Sequence, residues 1–281
     1  MITTSWYDGL LYALYQEVFF RYNSALFFLN LFYMMNILSI DCSGAHSGVA
    51  LLSHGVVTEM TSQASRSHAS ELLQLLEALL RKAGLPLKDV DCFAYACGPG
   101  GYTGLRVAAA LIEGLHLVHE CPIVNISSLQ ALAYAAFRQE QIASVSVVRH
   151  AYGDNVYTGG YKRDDKIAEA NVQAQMMTVK AFSQLLTLKK TNNSTDHLLL
   201  PKSAAQSSPQ KKCAVLSADM ELIQSHCSPS NGWDLLEITQ KHLAEEVGYM
   251  AEPYVKEGAQ TQGEASCRPY YLKNASDWLK K

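Results

Sequence analysis

This chain lacks the spacings that most often announce a nucleotide or metal site. Its most glycine-dense run, Gly98 to Gly104, has no Gly-Lys-Ser/Thr ending and so is not a P-loop. The glycines in that run also miss the order of the dinucleotide fingerprint. The seven cysteines (Cys42, Cys92, Cys97, Cys121, Cys213, Cys227, Cys267) are odd in number and scattered, and no two stand at Cys-x-x-Cys spacing. That excludes the common zinc and redox motifs and reads as buried, reduced thiols of a cytosolic protein. Basic residues are not in surplus: 23 Lys and Arg stand against 26 Asp and Glu, a net charge of −3. Such a balance leaves no global footprint for direct nucleic-acid binding. No serine, histidine and aspartate stand at spacings that would support a hydrolytic triad.

The first residues also lack the marks of a secretory signal. Asp8 and Glu17 sit where a basic start is wanted, and Arg21 comes late. The leader is instead rich in aromatics, from Trp6 and Tyr7 to Phe32 and Tyr33. Ser24 to Ile40 is nearly long enough to span a bilayer but runs straight into the first strand. Met34-Met35 before Asn-Ile-Leu-Ser-Ile-Asp reads as a natural protein start, which makes residues 1–34 an over-extended leader outside the native fold. The competing reading is a membrane-surface or partner-binding appendage.

What remains is ordinary globular material. With 281 residues, 48% apolar and 17% charged, the chain can bury a sizeable core as one large domain or two small ones. Asn36 to Asp41, Gly48 to Leu52 and Val56 to Met60 read as strands, with His54-Gly55 as a turn. Ser67 to Ala83 follows as an amphipathic helix ended by Gly84. Then come a strand (Asp91 to Cys97), a helix (Gly104 to His119), a strand (Pro122 to Ile126) and a helix (Ser128 to Phe137). This order predicts an α/β fold, a mixed sheet covered by helices.

A second, weaker copy follows. Strands are expected over Ser144 to Arg149, Asn155 to Tyr161 and Cys213 to Ser217, with helices over Thr178 to Leu186 and Leu236 to Val255. The expected division is an N-terminal subdomain over 35–138 and a C-terminal subdomain over 139–281. The latter carries a polar insertion at 187–212, which reads as a solvated loop or as a local basic patch.

Cys97-Gly98-Pro99-Gly100-Gly101-Tyr102-Thr103-Gly104-Leu105-Arg106 joins an apolar strand to an alanine-rich helix. A glycine-dense turn at a helix start offers backbone N–H groups and a positive dipole end to an anion. Asp41 and Ser43 end the first strand, where they can approach phosphates or make local turn hydrogen bonds. Candidate anion or nucleotide contacts are therefore Asp41, Ser43, Gly98, Gly100, Gly101, Thr103, Gly104 and Arg106. Thr103 is the expected helix cap, and Arg106 is expected to face Asp41, a phosphate, or a carboxylate on another subunit. The other reading of the loop is a tight connection that binds nothing. His116 and His119, three apart near Cys121, lack a carboxylate partner and read as groups serving a helix C-terminus.

Taken together, four segments are specific in order and spacing: Ile40-Asp41-Cys42-Ser43, Ser67-His68-Ala69-Ser70-Glu71-Leu72-Leu73, the loop itself, and Pro122-Ile123-Val124 leading to Ser127-Ser128-Leu129. They resemble the TsaB (YeaZ) family of bacterial tRNA threonylcarbamoyladenosine biosynthesis, with Pro269-Tyr270-Tyr271-Leu272-Lys273 similar to its closing motif. The resemblance implies an actin-like (ASKHA) fold of two subdomains and a cytoplasmic, non-catalytic partner subunit. Its partner would be TsaD as a heterodimer, with TsaE reached through the complex, tRNA met indirectly, no membrane, and a homodimer when alone. The complex moves threonylcarbamoyl from its adenylate to the adenosine beside the anticodon.

No cofactor is then needed by the chain alone, though ATP or ADP is a candidate at the partner interface. The catalytic relatives carry two metal-binding histidines four apart on a helix, and those places here hold Ser128 and Leu132. The family's docking helices correspond to His68, Leu72, Leu76, Leu79, Ala108, Ala109 and Ile112, with Ala110 and Gly114 adding small residues. On that reading Leu76→Glu or Ala109→Arg abolishes docking without harming the fold. Where the family has Asp-Ala-Arg-x-x-Glu-Val-Tyr, this chain has His150-Ala151-Tyr152-Gly153-Asp154-Asn155-Val156-Tyr157, and three charged positions are lost. The reading from a different class is an independent actin-like ATPase or small-molecule kinase using Asp41 and the Gly98–Gly104 loop.

Overall fold

The computed structural model describes residues 35–62, 69–163, 168–187, 212–216, 233–238, 242–256 and 267–271. The expectations for the leader, for His68 and for 188–211 lie outside the described residues.

The first half opens with three strands, β1 (Asn36–Asp41), β2 (Gly48–Ser53) and β3 (Val56–Thr61). His54 and Gly55 turn the β2–β3 hairpin with positive φ at both positions, the two-residue turn whose twist matches its strands. Helix α1 (Ala69–Ala83) ends where Gly84 takes φ +66° and Leu85 N–H reaches back to the Leu80 carbonyl, a Schellman stop. Strand β4 (Cys92–Gly98), helix α2 (Tyr102–Val118), strand β5 (Ile123–Ser127) and helix α3 (Ser128–Gln139) complete this half. The second half carries β6 (Ser144–His150), β7 (Asn155–Arg163), β8 (Ala168–Thr178), helix α4 (Val179–Thr187), β9 (Lys212–Leu216), β10 (Trp233–Glu237) and helix α5 (Ala244–Lys256).

The two sheets share one plan. The first runs β3-β2-β1-β4-β5 and the second β8-β7-β6-β9-β10. In each, the first three strands are antiparallel neighbours, while the central strand pairs in parallel with the fourth. The fifth then pairs in parallel with the fourth. This duplicated mixed-sheet arrangement is the actin-like α/β fold that the sequence led us to expect.

Side-chain alternation along β4 feeds two cores. Phe93 and Tyr95 point to the side of α1 and α2, joining Leu38, Ile40 and Leu79. Cys92, Ala94 and Ala96 point to the opposite side, joining Leu132, Val145, Tyr161, Val247 and Met250. This second core is shared by both sheets. Helix α5, late in the chain, packs on β1 and β2, while α3 packs on β6, β7 and β8. The last helix of each half therefore lies between the sheets and ties them together.

Two elements depart from the sequence expectations. Strand β8 fills a stretch left without an element, and β10 with a later helix replaces the single long helix over Leu236 to Val255. Ala, Glu, Gln and Met dominate β8, all neutral to helix-favouring, yet pairing with β7 over most of its length holds it extended. Tertiary pairing outweighs propensity there.

Candidate functional site

The parallel strands β1, β4 and β5 end at the same edge of the first sheet, the place where open α/β sheets bind ligands. Asp41 closes β1 there and is wholly buried. Its Oδ1 accepts hydrogen bonds from the Ser43 hydroxyl and, at 2.9 Å, from Ser43 N–H. Its Oδ2 accepts Leu243 N–H at 2.7 Å from the segment that leads into α5. A carboxylate so engaged holds its own turn and the approach to α5 in place.

The glycine run lies directly on this turn. A Cβ on Gly104 would stand 2.0 Å from the Cys42 carbonyl oxygen, and one on Gly100 would stand 2.5 Å from that of Ser43. Gly101 N–H donates to the same Ser43 oxygen at 2.9 Å. Gly98 takes φ +115°, and a Cβ there would stand 2.5 Å from the Tyr270 carbonyl oxygen. These glycines are needed because backbone approaches that closely, the second use of glycine besides φ freedom.

From the second sheet, Arg149 at the end of β6 reaches across. Its Nη1 donates to Ser43 Oγ at 2.8 Å, and its Nη2 would stand 2.7 Å from a Cβ on Gly44. Arg149 is itself buried, so Ser43 bridges a buried cation to the buried Asp41 carboxylate. Breaking one side of such a pair leaves the other charge uncompensated. His242 adds a second tie between the halves: Nδ1 accepts Ala244 N–H at 3.2 Å and Nε2 pairs with Thr61 Oγ1 at 2.7 Å. Its ring occupies the space a Cβ on Gly48 would fill.

The spaces the glycines leave are taken by the carbonyl oxygens of Cys42, Ser43 and Tyr270, and the buried Asp41 carboxyl belongs to the same turn. Of the eight candidate contacts, the structure gathers Asp41, Ser43, Gly98, Gly100, Gly101 and Gly104 around one turn, with Asp41, Ser43 and Gly98 buried and Gly101 exposed. Thr103 and Arg106 lie outside it, both exposed on α2. Gly101, not Thr103, is the N-cap of α2, and no side chain caps that end.

Arg106 does not face Asp41, because Asp41 is sealed beneath the loop. Its guanidinium stacks 3.9 Å from the Tyr102 ring centroid, and its Nε donates to Tyr271 Oη at 3.3 Å. That hydrogen bond raises its pKa further above the ordinary arginine value. The rings of Tyr102 and Tyr271 are 5.3 Å apart. Tyr271 belongs to a short stretch tied down by Tyr270 N–H, which donates to the Cys97 carbonyl at 2.7 Å.

The imidazoles of His116 and His119 bond carbonyls outside α2 rather than capping its last turn. His116 Nδ1 lies 2.9 Å from the Cys121 carbonyl and His119 Nε2 lies 2.7 Å from that of Val90. Ser128 and Leu132 are buried on α3. Among the described residues no cluster of three or more His, Cys, Asp or Glu could hold a metal ion. Burial pushes the Cys42 thiol up to about 12 and those of Cys97, Cys121 and Cys267 up to about 11, with Cys92 raised as well. These thiols are protonated at neutral pH and are poor nucleophiles and ligands.

The expected docking residues need correction. Leu72, Leu76, Leu79, Ala108, Ala109 and Ile112 all point inward and are buried in the core under α1 and α2. Leucines at i, i+4 and i+7 trace the apolar stripe of an ordinary surface helix, and that stripe is the inner one. The outward faces carry Leu73, Gln74 and Glu77 on α1 and Arg106, Ala110, Glu113, Gly114 and Leu117 on α2. Nothing lies within 4 Å of a Cβ placed on Gly114. Sequence reading therefore placed the candidate docking residues on the inner faces of these helices. It also missed Arg149 and His242, whose partners lie about a hundred residues or more away along the chain. The signal for Tyr271 was the closing Pro269-Tyr270-Tyr271 segment.

Comparison with known proteins agrees with this geometry. The family model described as "TsaD: tRNA N6-adenosine threonylcarbamoyltransferase" matches residues 53–266. The tRNA threonylcarbamoyladenosine biosynthesis protein TsaB of Haemophilus influenzae is 36% identical over 123 residues, 44% of this chain and 52% of that protein. The TsaB of Escherichia coli is 32% identical over 131 residues, 47% of this chain and 57% of that one. The chain thus spans about half the length of these curated relatives. Two solved structures from Pseudomonas aeruginosa share the fold over 85% of this chain and all of theirs. One is YeaZ (TM-score 0.67, 23% identity) and the other is described as similar to the peptidase YeaZ (TM-score 0.68, 24% identity).

Proposed function

Since the chain belongs to the TsaD family, among its TsaB (YeaZ) members, we propose that it is a non-catalytic partner subunit in tRNA threonylcarbamoyladenosine biosynthesis. On this reading it binds TsaD as a heterodimer in the cytoplasm and meets TsaE and tRNA only through the complex. Alone it forms a homodimer through the same face. The complex transfers threonylcarbamoyl from threonylcarbamoyl-adenylate to the adenosine beside the anticodon, and TsaD supplies the chemistry. The chain alone requires no cofactor, and ATP or ADP enters only at the shared interface.

One observation carries the non-catalytic part. The carboxylate and glycine loop that an actin-like phosphotransferase would turn toward phosphate are engaged with the chain's own backbone and with Arg149. Such a junction holds a scaffold rigid and presents α1 and α2 outward. No helix among the described residues is long and apolar enough to cross a membrane.

The test is co-purification with TsaD from the native cell, together with ATP turnover by the isolated chain. The partner reading expects a stoichiometric complex and no turnover above buffer. Turnover lost on Asp41→Asn in a variant that keeps the parent's thermal unfolding midpoint, with no TsaD recovered, would instead establish the kinase reading.

A further inference from the structure

Where α2 begins, its outer face carries an arginine and two tyrosines already locked together. Arg106 is fully exposed, yet it is held by stacking on Tyr102 and by the hydrogen bond to Tyr271. Tyr102 and Tyr270 are 38% and 40% exposed, and Arg268 is exposed on the same short stretch as Tyr271. No carboxylate among the described residues forms an ion pair with Arg106 or Arg268. The single acidic residue of α2, Glu113, stands seven residues further on, about 10 Å along the axis, near a Debye length at physiological salt.

A solvated surface arginine is normally mobile, and ordering it on binding costs side-chain entropy. Here that ordering is made in advance, by a ring below the guanidinium and a hydroxyl at Nε. The planar fork that remains matches a carboxylate better than any other protein group. Tyrosine and arginine are also the residue types that most often dominate interface energetics.

We infer that Arg106, clasped by Tyr102 and Tyr271, is a docking point for an acidic segment of the partner subunit, with Tyr270 and Arg268 exposed on the stretch that brings Tyr271. This rests on the partner-subunit reading above. The clasp is composite: Tyr271 arrives with the chain's C-terminal stretch, which the Tyr270–Cys97 hydrogen bond fastens to the end of β4. Docking therefore depends on that stretch being in place.

Calorimetric titration of the full chain with purified TsaD, at low and at moderate salt, tests the inference. Arg106→Glu is expected to weaken binding at least tenfold and remove most of its salt dependence, with the thermal unfolding midpoint unchanged. Arg106→Lys, which keeps charge but not the fork, is expected to recover only part of the loss. Tyr271→Phe, which keeps the ring but not the hydroxyl, is expected to weaken binding two- to threefold. Wild-type affinity in Arg106→Glu overturns the docking point while leaving the partner reading intact. Failure of the wild type to bind TsaD overturns both. Loss of inorganic phosphate or tRNA binding in Arg106→Glu, with TsaD binding unchanged, overturns the acidic segment in favour of a phosphate ligand.

Discussion

The glycine-rich loop has two sides, and they differ in what they leave available. On the inner side, Asp41, Ser43 and Arg149 are buried and hydrogen-bonded to one another and to the approach of α5. On the outer side, Tyr102, Arg106 and Tyr271 hold one another in solvent with a cation still unpaired among the described residues. The inner set looks like a ligand site when read as residue types, and it is a structural joint. In the outer set the sequence marks Arg106 and the closing Tyr270-Tyr271 separately, and only the fold brings them together. The same division runs along both helices, with Leu72 and Leu76 inward and Leu73 and Gly114 outward.

That contrast can be broken by substitution. The largest effect is expected from Leu76→Glu, which places a charge in the core beneath α1. A loss of about 4 kcal/mol or more, comparable with a whole domain's stability, should appear in urea denaturation. Leu73→Glu on the outer face should stay within about 0.5 kcal/mol of the parent. Equal effects at the two positions would erase the distinction between the faces.

Asp41→Ala is expected to cost about 2–5 kcal/mol, because it leaves the buried Ser43 and Leu243 N–H groups without their acceptor. A stable Asp41→Ala protein would show that the junction does not hold the halves together. Gly104→Ala should lose about 1–3 kcal/mol, since its methyl meets the Cys42 carbonyl and the loop must shift. Ten residues on, Gly114→Ala has open space and should gain about 0.5–1 kcal/mol from helix propensity. The pair sharpens the comparison within a single helix, and opposite signs in thermal unfolding are the expected result.

Local signals carried much of the fold into the sequence. The His54-Gly55 turn, the Gly84 stop and the apolar strand β4 each depend on neighbours within a few residues, and each appears where the pattern places it. β8 and β10 were not legible, because their extended form depends on strands paired far along the chain. At the candidate site the glycine loop was legible as special. Its purpose was not, because Cys42 and Ser43 lie more than fifty residues before the glycines they touch.

The sequence alone determined that α1 has an apolar stripe and α2 is alanine-rich, that the Gly98–Gly104 run is a tight turn into a helix, and which family's motifs the chain carries. Periodicity and glycine spacing are written locally, so they can be read locally. Only the tertiary structure decided which stripe faces inward, what approaches the glycines, and whether Asp41 or Arg106 is left for another molecule. Those outcomes depend on which distant groups the fold brings within reach of each charge. Here Ser43, Leu243 and, through Ser43, Arg149 reach Asp41, and for Arg106 among the described residues only two tyrosines do.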